Sequence, residues 1–292
     1  MTVHLVANPA AGAGKAADRV QSIHARLSAT AAVETHVPSS ADDARSLLDD
    51  LADAEAERVI VAGGDGMVHL AVNALARSET VLGIVPVGTG NDAATGLGLP
   101  KKLEAACDAA LGPHRPIDLI AAGSPDGDTR YAVTVAIVGL AVDINERAER
   151  MRFPKGSLKY TIATLAELPR LRRHELTMTI DGVEHDLVTN LLAIANLPYF
   201  GGGMRVAPDA DPADGSLEVI SIGPANPLTI GTLLPTIFSG RHVKNKRVTV
   251  LRGAEVTVAG QDLRVRADGE AWGELPATLR SVSAGLLIAT PV

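Results

Sequence analysis

Two apolar runs between Val59 and Asn91 each end in a glycine loop, and this pairing constrains the chain most. Val59–Ala62 runs into Gly63-Gly64-Asp65-Gly66, and Val81–Val87 runs into Gly88-Thr89-Gly90-Asn91-Asp92. Each loop opens into a segment with helical character. A strand that ends in glycines at a helix N-terminus suits an anion. The backbone can approach closely, and the helix dipole and unpaired N–H groups favour phosphate. Two such loops in succession, one with an Asp, predict a polyphosphate held together with a metal.

The surrounding pattern alternates in the same sense. Val3–Ala7 reads as a buried strand, and the turn Asn8 to Lys15 leads into a helix from about Lys15 to Ala29. This turn is not a Walker loop. Pro9 stands where the first glycine is required, and Ala16 replaces the Ser or Thr. Val33–Val37 is a short strand. Ser39 and Ser40 are N-cap candidates for a helix carrying Leu47, Leu48 and Leu51, with Asp42 and Asp43 in its first turn. A helix over Leu103–Leu111 follows the second loop, ended by Gly112-Pro113. This β-α order predicts a parallel sheet with helices on both faces.

The texture changes after residue 115. Arg115–Leu119 is short and extended. Tyr131–Val138, Leu176–Ile180, Asp186–Ala195, Leu217–Ile222, Arg247–Leu251, Glu255–Val258, Leu263–Ala267 and Leu286–Ala289 read as strands. Ser157–Leu168 and Pro227–Phe238 read as helices. Closely spaced strands with turn residues between them predict an antiparallel sandwich or barrel. With 292 residues the chain exceeds a single core. The expected domains are 1–120 and 121–287, with 288–292 returning to the first.

Composition excludes several classes. A net charge of -7 and 2% aromatic residues, Trp272 being the sole Trp, argue against nucleic acid as a partner. The single cysteine, Cys107, excludes an internal disulfide. No run of 18 apolar residues predicts a transmembrane segment. No basic-then-apolar leader is visible, so a cytoplasmic location is expected. Basic groups at Arg147, Arg150, Arg152, Lys155 and Lys159, at Arg170, Arg172 and Arg173, and at Arg241, Lys244, Lys246 and Arg247 are either solvated faces or contacts for anionic lipid head groups.

Two acidic segments stand out in the second half. Asp209, Asp211 and Asp214 lie in a Pro/Gly-rich turn after Gly201-Gly202-Gly203. Such oxygen donors suit a hard cation such as Mg²⁺, and a solvated turn explains them equally. Asp268-Gly269-Glu270 follows the run LRVRA. It is either a plain Asp-Gly hairpin turn or a carboxylate base with a second acid beside it.

Taken in order, GGDG with Asn73 on the following helix, PVGTGND, the GGG…APDA…DG segment and DGE resemble the diacylglycerol kinase catalytic-domain family, which includes soluble bacterial lipid kinases and the sphingosine kinases. The resemblance spans essentially the whole chain. It implies a two-domain kinase, with a Rossmann-like α/β nucleotide-binding domain over 1–120 and an all-β sandwich acceptor-binding domain over 121–287, that binds ATP in a cleft between the domains, with Mg²⁺. Asn8, Gly63, Gly64, Asp65, Gly66, Gly88, Thr89 and Asn91 would line the nucleotide site. Asp65 would join the metal and phosphate network, Asp268 would be the general base, and Glu270 would support it. A structural Mg²⁺ would sit at Asp214, with Asp209 and Asp211 as further candidates. One departure is Met67, where the family usually has Thr.

The implied reaction is γ-phosphate transfer to a lipid hydroxyl, diacylglycerol foremost, at a membrane surface. A peripheral position on the inner face of the membrane fits, and a homodimer is compatible with the sequence. An NAD kinase-like phosphotransferase and a non-catalytic nucleotide sensor are the alternatives. A dinucleotide oxidoreductase fits the GTGNDAA spacing formally. It fails because the acid expected about 20 residues on should end a strand, whereas Asp108 falls in a helical stretch.

Overall fold

A computed structural model of the chain describes residues 2–8, 16–123, 128–151, 153 and 157–292. Beyond Asn8, the turn read over 8–15 lies outside the described residues, as do Arg152 and Lys155. The chain clusters into two compact units, Met1–Leu119 with Ser283–Val292, and Ile120–Val282.

The first unit alternates strand and helix. Its order is β1 (Thr2–Ala7), α1 (Ala16–Ser28), β2 (Ala32–His36), α2 (Ala41–Asp53), β3 (Arg58–Gly63), α3 (Asp65–Leu75), β4 (Val81–Pro86), α4 (Asp92–Gly96), α5 (Leu103–Ala110) and the start of β5 (His114–Gly123). The strands run parallel in the order β2-β1-β3-β4. Alternation sends Val3, Leu5 and Ala7 to one face, where they pack with Ile23 and Leu27 of α1 and with Ala106, Cys107 and Ala110 of α5. Val6, Val59 and Val61 point the other way and are fully buried, and α2 packs on α3. Both faces are therefore covered, and β3 reads as a continuous apolar run. Helix α2 starts as its caps require. The Ser40 side chain accepts the Asp43 N–H at 3.0 Å, and Asp42 and Asp43 sit at the positive end of the dipole.

The second unit begins with the end of β5 and continues through β6 (Thr129–Ala132), β7 (Val135–Gly139), α6 (Leu140–Arg150), α7 (Ser157–Glu167), β8 (His174–Ile180), β9 (Val183–Thr189) and β10 (Leu191–Ala195). Then come β11 (Tyr199–Phe200), β12 (Met204–Arg205), β13 (Leu217–Ile222), α8 (Pro227–Phe238), β14 (Val248–Gly253), β15 (Glu255–Ala259), β16 (Arg264–Ala267), β17 (Glu270–Glu274) and β18 (Ala277–Ala289). One antiparallel sheet has the order β14-β13-β10-β7-β16-β17. The other places β9, β8 and β15 beside the first half of β18. A core containing Met178, Ile194, Val219, Val258 and Trp272 fills the space between them, so the unit is a β-sandwich. The six-stranded sheet is buried on its outer face too, by α6 and α8, through Leu140, Val142, Ile230 and Leu233. Hence β7, β10 and β13 are buried almost throughout, Glu218 and Ser221 of β13 included, whereas β8 alternates.

Three strand expectations change. Tyr131–Val138 is two strands, because the chain leaves the extended ladder at Val133 and Thr134. Asp186–Ala195 is also two, broken at Asn190, and β9 and β10 belong to different sheets. The buried Asn190 side chain accepts the Ala225 N–H at 2.8 Å and fixes that switch. Leu286–Ala289 is the end of a 13-residue strand whose last part pairs parallel with β4 at Leu287 and Ile288. No helix among the described residues is long and apolar enough to cross a membrane.

Candidate functional site

The two glycine loops of the first unit meet backbone to backbone. A Cβ placed on Gly88 would lie 2.4 Å from the Gly64 Cα, and one on Gly64 would lie 3.2 Å from the Gly88 Cα. The Val87 N–H donates to the Gly63 carbonyl at 3.0 Å, which brings the loops to this point. A side chain at Gly88 would push them apart, so glycine is required there for closeness. Gly66 has open space around it.

Polar side chains complete the joint. Asn91 has a left-handed backbone, φ 54°, and closes the second loop on itself. Its amide donates to the Gly88 carbonyl at 2.9 Å and its oxygen accepts the Gly88 N–H at 3.1 Å. The Asp65 carboxylate reaches across to accept the Ala93 N–H at 3.2 Å, in the first turn of α4. Its other oxygen lies beside Gly90, 2.7 Å from where a Cβ would stand. Asp65 thus ties the second loop to the first. Asp92 is buried next to it, and Thr89 is exposed at the loop tip. Helix α3 begins at Asp65 with no side-chain cap, and the Gly64 carbonyl accepts the Met67 N–H at 3.0 Å. Asn8 joins the same strand ends, its N–H donating to the Ala62 carbonyl at 3.1 Å. Met67 packs inward at 6% exposure, so the side chain that replaces the usual Thr is part of the core under the loop. Asn73 lies one turn on, bonding to the His69 carbonyl at 3.0 Å.

In the second unit, Asp268 and Gly269 join β16 to β17 with φ of 51° and 89°. Two successive positive φ values make a primed hairpin turn. The hairpin reading is therefore correct as geometry, but the Asp268 side chain does more than turn the chain. One carboxylate oxygen accepts the Val133 N–H at 2.9 Å. The other accepts the Thr134 N–H at 2.9 Å and the Thr134 hydroxyl at 2.5 Å. These are the two residues at which Tyr131–Val138 breaks. Their amides serve the carboxylate instead of a neighbouring strand. Buried Asn196 supports the same break by donating to the Val133 carbonyl at 3.0 Å.

Arg266 locks the turn from below. It is 9% exposed, donates to the Gly269 carbonyl at 3.0 Å, and pairs with Glu149 of α6. Glu270 is exposed at the start of β17. Thr134, Asn196, Arg266 and Glu149 all escaped the sequence reading. Only Arg266, two positions before Asp268, left a local signal.

The acidic turn has a different arrangement from a cluster of carboxylates. The sole three-ligand His, Cys, Asp or Glu group among the described residues is elsewhere, so Asp209, Asp211 and Asp214 do not form one. Asp211 accepts the Ala213 N–H at 3.1 Å and Asp214 accepts the Ser216 N–H at 2.9 Å. The second Asp214 oxygen faces the Arg252 guanidinium at 3.3 Å, which also donates to the Asp209 carbonyl. Beneath them Glu218 is 2% exposed and accepts the Asp209 N–H at 3.1 Å. Burial pushes the Glu218 carboxyl above its ordinary value, and Arg252 pulls it back. An arginine already holds the position of a cation between these donors. The donor set does not fit an additional Mg²⁺ unless Arg252 moves away.

Residues 2–122 match the family model described as the diacylglycerol kinase catalytic domain. Residues 134–290 match that of the YegS C-terminal NAD kinase beta sandwich-like domain. The chain is 37% identical over 293 residues to a diacylglycerol kinase of Mycobacterium tuberculosis, covering 99% of this chain and 95% of the relative. It is 29% identical over 250 residues to a diacylglycerol kinase of Bacillus subtilis, covering 83% and 80%. A solved structure described as a diacylglycerol kinase from Bacillus anthracis aligns with a TM-score of 0.76 at 18% identity, over 99% of this chain and 96% of that one. At that identity the likeness concerns the fold.

Proposed function

We infer an ATP-dependent lipid kinase from one premise: this chain belongs to the diacylglycerol kinase catalytic-domain family. The observation that carries the reading is the backbone contact between Gly64 and Gly88. It merges two glycine loops into one side-chain-free backbone surface at two helix N-termini, suited to adjacent phosphates. Asn8, Gly63, Gly64, Gly66, Gly88, Thr89 and Asn91 hold the nucleotide in this reading. Asp65 acts as a positioning residue, since it anchors the N-terminus of α4.

Phosphoryl transfer needs charge neutralisation and alignment of the acceptor hydroxyl more than covalent chemistry. Mg²⁺ travelling with ATP supplies charge neutralisation, and we assign it there and not to the acidic turn. Asp268 accepts the proton of the attacking hydroxyl, held in one orientation by Val133 and Thr134. Glu270 adds negative potential near that hydroxyl. The acceptor side is lipid. Exposed Ile162 and Leu165, three apart on α7, and Phe153 just before it offer apolar side chains to a bilayer surface.

The relatives' name makes diacylglycerol the first acceptor to try. The test is transfer of labelled γ-phosphate from ATP to vesicles containing diacylglycerol, with a sphingoid base, phosphatidylglycerol and NAD as parallel acceptors. Labelled phosphatidic acid is the expected product. Label on NAD alone would select the soluble phosphotransferase. ATP binding with no labelled product would select a nucleotide sensor.

A further inference from the structure

We propose that His4, Glu34 and His36 form a binding site for a borderline transition-metal dication, with Zn²⁺ as its best-fitting occupant, at the edge of the first unit's sheet. The sequence shows no metal spacing here, because the three residues come from two strands. Parallel pairing sets His4 opposite Glu34 and Val6 opposite His36. Residues two apart on a strand share a face, and so do paired residues, so all three side chains project from one side of β1 and β2. Strand β2 ends the sheet, which leaves this face open at its edge.

The distances match a tetrahedral ion. His4 Nδ1 and His36 Nε2 are 3.3 Å apart. Glu34 straddles the pair, one oxygen 3.6 Å from His4 Nδ1 and the other 3.8 Å from His36 Nε2. Zinc bonds of 2.0–2.2 Å at tetrahedral angles separate adjacent ligand atoms by about 3.3–3.6 Å. The two ring centres are 5.6 Å apart with their planes 25° from parallel, so the rings lie side by side at the open edge. With one nitrogen protonated the same spacing is an N–H···N hydrogen bond. With both deprotonated, the two lone pairs and the carboxylate address one position. The histidine side chains are 18% and 20% exposed and Glu34 is 60% exposed, which leaves room for a water as fourth ligand.

Two imidazoles and one carboxylate favour Zn²⁺ and its neighbours over Mg²⁺, which prefers an all-oxygen shell. The site is therefore distinct in chemistry from any Mg²⁺ that accompanies the nucleotide. Bound metal would cross-link the edge strand to β1, the strand that leads into Asn8. It acts as a staple on the first unit.

The full chain titrated with Co²⁺ is expected to develop the visible absorption of a tetrahedral nitrogen–oxygen site at one equivalent. One equivalent of Zn²⁺ should abolish it, and millimolar Mg²⁺ should leave it intact. Zn²⁺ at a hundredfold excess over its Kd should raise Tm by on the order of 5 °C. His36→Gln and His4→Gln should each weaken Zn²⁺ binding on the order of a hundredfold, read by competition with a chromophoric chelator. Glu34→Gln, at an exposed position with no packing role, should weaken it less and guards against misfolding of the histidine variants. Absence of the tetrahedral Co²⁺ spectrum in the unmodified chain overturns the proposal. So does a spectrum that persists in His36→Gln, or one that Mg²⁺ displaces.

Discussion

The glycine loops of the first unit and the Asp268 turn of the second use backbone amides in opposite ways. At Gly64 and Gly88 side chains are absent so that two backbones can touch at the starts of α3 and α4. At Asp268 a side chain is present, and it takes in the amides of Val133 and Thr134. The first arrangement offers side-chain-free backbone and helix N-termini to a ligand's negative charge. The second holds a negative charge of the protein's own. Phosphate binding and proton acceptance need these two opposite polarities. The chain obtains each from the same chemical groups by choosing where a carboxylate stands.

The sharpest way to break this contrast is at Asp268. Asp268→Asn puts an amide donor against backbone donors and removes the proton acceptor. Turnover is expected to fall about a thousandfold, with ATP affinity unchanged. Stability is expected to drop by about 1–3 kcal/mol. Transfer assays, nucleotide titration calorimetry and urea unfolding read the three quantities. Near-normal turnover in a folded variant would remove Asp268 from the role of base.

Gly88→Ala comes next. Its Cβ would meet the Gly64 Cα, so the loops must separate. We expect about a hundredfold loss in kcat/KM for ATP, since small misplacements of bound phosphates cost that much. Destabilisation of about 1–3 kcal/mol should accompany it. Gly66→Ala, with open space at the Cβ, is the stability control and should not show that loss. Equal destabilisation of the two variants would show that the loop contact does not matter.

Thr134→Val is smaller. It keeps the backbone donor and deletes only the hydroxyl bond to Asp268. A loss of about 1 kcal/mol, or five- to tenfold in turnover, is expected, without a change in ATP affinity. A change in ATP affinity with normal turnover would move Thr134 out of the acceptor chemistry.

The smallest effect is on pH dependence in the second unit alone. His242 is 1% exposed, and burial lowers its pKa against the opposing pull of the Val206 carbonyl. A depressed histidine contributes stability that is present above the unfolded value of about 6.5 and is lost as pH falls toward the folded value. Tm should therefore decline between pH 6.5 and 5. His242→Gln keeps an N–H for Val206 and takes up no proton, so the decline should shrink by a fraction of a degree to a few degrees. Half-buried His174, shifted the same way by burial, should keep it from vanishing. An unchanged slope would acquit His242.

Much of the first unit was legible because its signals are local. Strand, glycine and helix follow one another within a few residues, as from β3 through Gly63 into α3. The second unit was harder to read. Period-two alternation failed where sheets are covered on both faces, as at β10 and β13. The breaks at Val133 and Asn190 arise from side chains that bind distant backbone, and nothing near them in sequence announces a break. For the same reason Arg252 at the acidic turn was missed, 38 residues from its Asp214 partner.

The sequence by itself determined that two glycine loops end two adjacent parallel strands and that an Asp-Gly turn closes a later hairpin. These are matters of backbone stereochemistry, where glycine and its neighbours decide locally. Only the tertiary structure decided that Gly64 meets Gly88, that Asp268 is held by residues 134 and 135 positions earlier, and that His4 faces Glu34 and His36 across a strand pair. Those contacts depend on sheet register and on close packing between segments far apart in the chain. Local pattern carries no record of register, because each strand's alternation is the same whichever neighbour it finds.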